Sequence, residues 1–101
     1  MNGVDFVEKL VRKGAARDNQ GRDFKMVCDD GKWTVEIVDR GMRTERGPFD
    51  HRFSAIFCAI VNSDVSDQHS GLWRLNNLAK QWEDEETKEK GGEYEAHEAK
   101  L

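Results

Sequence analysis

Apolar residues recur at two different periods along this chain of 101 residues. Phe6, Val7, Leu10 and Val11 repeat at helical spacing, which predicts a first helix over residues 4–16. Asn2 stands where an N-cap belongs, and Asp5 falls near the positive end of the helix. Glu8 precedes Arg12 by four positions, a favourable helical pair. Residues 17–21 read as a polar loop.

From Arg22 to Asp39 the period drops to two. Asp30-Gly31 is a strong two-residue hairpin signal, because glycine accepts the positive φ of a type I′ turn. The turn sets the register: Asp29 faces Lys32, Val27 faces Thr34 and Lys25 faces Glu36. On the opposite face Cys28 meets Trp33, Met26 meets Val35, and Phe24 meets Ile37. One face is therefore apolar, and the other carries two opposite-charge pairs. A lone hairpin is marginal in water. A third strand is expected over residues 42–46, or else the hairpin edge pairs with a second subunit.

Residues 51–62 are almost continuously apolar from Phe53 to Val61, with Asp50 as the expected N-cap. Phe53, Ile56, Phe57 and Ile60 form one stripe, as befits the central helix of a core. Residues 63–70 read as a loop, and Ser70 is placed to cap a third helix from 71 to about 86. Leu72, Leu75, Leu78, Ala79 and Trp82 would line its inner face. The fold class expected is α+β. A small antiparallel sheet (hairpin 22–39, third strand 42–46) packs against three helices (4–16, 51–62, 71–86). Residues 1–87 form one domain, and 88–101 form a hydrophilic acidic tail broken by Gly91-Gly92.

Charged residues make up 36% of the chain, above the usual ~25%, so the surface is heavily solvated. The net charge of −4 is unevenly spread. Residues 1–52 hold 11 Lys/Arg against 10 Asp/Glu, whereas 53–101 hold 5 against 10. No apolar run approaches the ~20 residues of a membrane span. The start of the chain lacks the features of a signal peptide, and two cysteines are no disulfide framework. The expectation is a cytoplasmic protein with reduced thiols and no membrane association.

Three surfaces stand out. Glu83, Asp84, Glu85 and Glu86 sit at a helix C-terminus, where acids oppose the macrodipole. A partner-binding role would explain them, against the plainer reading of a solubilising helix end. Trp73 lies off the Leu75/Ala79/Trp82 face, and tryptophan is enriched at interface hot spots. Packing on the hairpin is its plainer fate, while Trp33 and Trp82 are expected in the core. Arg40, Arg43, Arg46 and Arg52 could together grip an anion or nucleic acid, although Asp39, Glu45 and Asp50 interleave with them. Lys9, Arg12, Lys13, Arg17 and Arg22 would strengthen that case if they lay alongside.

Catalytic chemistry has little support. Cys28 in a strand and Cys58 in a helix read as inert core thiols. His51, His69 and His97 lack zinc-motif spacing with them. No catalytic residues, metal or cofactor are expected.

The order of hairpin, loop, Gly47-Pro48-Phe49, apolar helix and Leu/Trp helix resembles many short phage-encoded accessory proteins in layout and size, over residues 22–82. That resemblance implies a protein that binds and modifies a host complex, as inhibitors of host defence do. The leading expectation is a non-enzymatic protein-binding module. Its partner would be a host protein or complex with a basic surface, met by Trp73 and residues 83–86. The alternative is a nucleic-acid-binding accessory protein using the arginines, and a small enzyme or metal site ranks third.

Overall fold

The computed structural model describes residues 1–82. Helix α1 (Gly3–Lys13) starts at Asn2, whose side chain accepts the Asp5 N–H. It ends three residues earlier than the apolar spacing suggested. Gly14 turns left-handed at its C-cap, and the chain enters strand β1 (Ala15–Arg17). Strands β2 (Asp23–Asp29), β3 (Lys32–Asp39) and β4 (Met42–Phe49) follow. All four pair antiparallel in the order β1-β2-β3-β4. The fold is α+β, with four strands where two or three were expected.

The β2–β3 register is the one that the Asp30-Gly31 turn dictates, from Asp29↔Lys32 to Phe24↔Ile37. Both turn residues have positive φ, 52° and 76°, as a type I′ turn requires. The apolar face points to the helices. Phe24 and Val35 are fully buried, Ile37 is nearly so, and Met26 and Trp33 are half-buried. Cys28, next to the turn, is exposed rather than in the core. The polar-face charges also pair differently from expectation. Glu36 bonds Arg43 across β3–β4, and Lys32 bonds Asp50.

A second two-residue turn, Arg40-Gly41, makes β4. It escaped the sequence reading because arginine is an unusual occupant of a positive-φ position. β4 runs to Phe49, beyond the expected 42–46. Between Val35↔Arg46 and Trp33↔Phe49, Gly47 and Pro48 stand opposite Thr34 alone, which is a bulge.

Helix α2 (Arg52–Asn62) is capped by the His51 backbone without any side-chain bond. Asp50 does not cap it, because its carboxylate is held by Lys32. A third helix, α3, occupies 68–82, starting before the expected Ser70 cap. Gly71 lies inside this helix, where its N–H reaches the Asp67 carbonyl. Gly3 and Gly71 let α1 and α3 meet backbone to backbone. A Cβ on Gly3 would sit 2.7 Å from the Asp67 carbonyl oxygen, and one on Gly71 would sit 2.8 Å from the Gly3 carbonyl carbon.

The core gathers Phe6, Val7 and Leu10 of α1 with Phe24, Val35 and Ile37 of the sheet. Ala16 of β1, Ala55, Ile56, Ala59 and Ile60 of α2, and Leu75 and Leu78 of α3 complete it. Phe6 meets Phe24 edge-on at 5.2 Å. No helix among the described residues is long and apolar enough to cross a membrane. The expected tail 88–101, the far end of the third helix and His97 lie outside the described residues.

Candidate functional site

The α3 inner face is set by Leu75 and Leu78, which are buried. Trp73, Asn76, Asn77 and Lys80 follow the i, i+3, i+4, i+7 rule and share the other side of the helix. Trp73 is 67% exposed, and it makes no ring or cation contact among the described residues.

That α3 side borders an open groove of about 950 Å³, closed on its other flanks by Trp33 of β3 and by Asp50 to Ser54 at the start of α2. Trp33, Trp73 and Trp82 all line it. Trp33 and Trp82 are half-buried: each packs against the core and also walls the groove. The Arg52 guanidinium lies 3.8 Å from the centroid of the Trp82 ring, a close cation–π contact. Hydrogen bonding from Lys32, with its charge, holds the Asp50 carboxyl below the ordinary carboxylate range. The Phe53 ring in the groove stacks on Phe57 at 6.1 Å, and Phe57 and Val61 are partly exposed beyond it.

The sequence-selected arginines do not form one cluster. Arg40 occupies the β3–β4 turn. Arg43 lies on the outer sheet face, bonded to both Glu36 and Glu45 at 2.8 Å. Its pKa is raised, first by the Glu45 hydrogen bond and then by the charge of Glu36. Arg46 alternates to the inner face, where it borders a smaller hollow with Arg22, Met42 and Asn62. Arg52 is on α2 against Trp82. In the second basic group, Arg17 pairs with Asp23, Arg22 with Asp18 and Arg12 with Glu8. Glu8 also bonds Arg74 of α3 at 2.6 Å.

Of the acidic set, Glu83, Asp84, Glu85 and Glu86 lie outside the described residues. They follow Trp82 directly in sequence. Among the described residues, no group of three or more His, Cys, Asp or Glu side chains could hold a metal ion.

The groove walls from Trp33 and from the start of α2 escaped the sequence reading, since only tertiary packing joins them. The place of Trp73 off the inner face of α3 was legible in its spacing. No family model, curated protein or solved structure matches this chain.

Proposed function

We propose that this protein is a non-enzymatic protein-binding module whose contact surface centres on Trp73 and continues into the acids of 83–86. The observation that carries the reading is Trp73 itself. A large aromatic ring stands 67% exposed beside a tryptophan-lined groove, while its helix is anchored by Leu75 and Leu78. Exposing that much apolar surface has a solvation cost that a bound partner removes. Tryptophan at the centre of a contact is a frequent hot spot.

The chemistry of the partner follows from charge. Residues 83–101 hold 8 acids against 3 lysines, so the surface suits a basic partner, whose Lys or Arg side chains can also lie on the open Trp73 ring. By its likeness in layout to phage accessory proteins, the module would act in the cytoplasm by inhibiting or modulating a host complex.

Affinity capture from host lysate, read by mass spectrometry, supplies the partner. Capture should weaken steeply as salt rises, and reversing the four charges at 83–86 should abolish it. Full-strength capture by that variant would remove this interface. A band shift with nucleic acid at low salt would instead favour the arginine alternative.

A further inference from the structure

Among the described residues β4 is an edge strand, and residues 42–48 are exposed. The parity of its backbone groups follows from the Arg40-Gly41 turn. A two-residue hairpin closes on a hydrogen-bonded pair, here Asp39↔Met42. Alternation then directs the N–H and C=O of Met42, Thr44 and Arg46 toward β3. Those of Arg43 and Glu45 point outward, away from the sheet. No backbone bond to another element engages them among the described residues.

We propose that this edge pairs with a second copy of the chain. The two β4 strands would run antiparallel across a two-fold axis at Thr44, extending the sheet to eight strands. Antiparallel pairing needs outward groups to face outward groups, so the axis must pass through a residue and not between two. An axis at Arg43 sets two arginines face to face, and one at Glu45 sets two glutamates face to face. An axis at Thr44 sets each Arg43 opposite Glu45 of the partner subunit, twice over. Charge therefore selects one register from the set that hydrogen bonding allows.

Arg43 is already in position for this, because Glu36 and Glu45 hold its guanidinium on the outer sheet face. Met42, 72% exposed on the inner face, would come opposite Arg46 of the partner subunit and gain cover from its aliphatic stem. Past Arg46 the bulge and Pro48, which has no N–H to donate, end the pairing. The contact is short against the roughly 1,200 Å² at which specific interfaces begin, so association depends on protein concentration.

The test is sedimentation or light scattering of the full chain across a concentration series, with circular dichroism to show that each variant is folded. The wild type should move from monomer to dimer. Arg43→Glu places like charges opposite each other and should weaken association roughly tenfold or more. The double exchange R43E/E45R recreates the pairs with reversed sense and should restore it. A wild type that stays monomeric would overturn the proposal, since the charges would then only keep edges apart. So would a folded R43E that dimerises normally, or a folded double exchange that does not. None of these variants touches Trp73, so partner capture and self-pairing can fail separately.

Discussion

Asp18 shows how a single side chain organises the irregular parts of this fold. It is the one buried charged residue among the described residues. Its carboxylate accepts the backbone N–H groups of Gln20, Arg22 and Asp64 and the Arg22 guanidinium, all within 3.0 Å. Burial alone would raise its pKa, but these hydrogen bonds outweigh burial and hold it below the ordinary value. The sign follows. A lowered folded pKa adds stability that is fully present above the unfolded value, about 3.9. It is lost as pH falls through the lower folded value. Asp18→Asn should therefore cost about 2 kcal/mol at neutral pH, by urea denaturation, and flatten the loss of stability below the unfolded value. Asp50 acts in the same direction, discounted for its exposure. An Asp18→Asn protein with wild-type acid sensitivity would remove Asp18 as its source. Gly3 matters for the opposite reason, since it has no side chain to place. Gly3→Ala drives a Cβ into the Asp67 carbonyl and should destabilise the fold by about 1–3 kcal/mol in the same measurement.

Among elements, the β2–β3 hairpin has the most determinate origin. Its turn residues and its period-two alternation specify the same pairing, and that agreement made it legible in advance. Burial of Phe24, Val35 and Ile37 against the helices then contributes roughly 1.5–3 kcal/mol each. Ile37→Asp puts a charge on that buried face and should unfold the domain, read as loss of a cooperative thermal transition. A folded variant with an unchanged Tm would contradict the packing. The strands that escaped prediction lack this agreement. β1 has three residues, two of them alanines, and reads as the tail of a helix. β4 has weak alternation, exposed residues, and a turn closed by Arg40. Cap assignments divide the same way. Asn2 caps α1, its side chain accepting the Asp5 N–H three residues on. Asp50 is diverted by Lys32, a residue 18 positions away that only folding brings near.

At the scale of the whole molecule, the helices cover one sheet face, α3 turns Trp73 outward, and among the described residues the edge of β4 stays open. The groove was only partly legible for a physical reason. The place of Trp73 off the inner face of α3 follows from helical spacing, but Trp33, Arg52 and Trp82 meet through packing between distant segments. The arginines scatter for a related reason, because strand alternation sends Arg43 and Arg46 to opposite sheet faces.

What this architecture claims above all is that the Trp73 ring serves recognition and not folding. The direct measurement is Trp73→Ala, with thermal unfolding and partner capture on the same preparation. Trp73→Ala should keep a Tm close to wild type, as for a surface substitution within about 0.5 kcal/mol, and should lose capture. A collapsed Tm, or capture at undiminished strength, would contradict the claim.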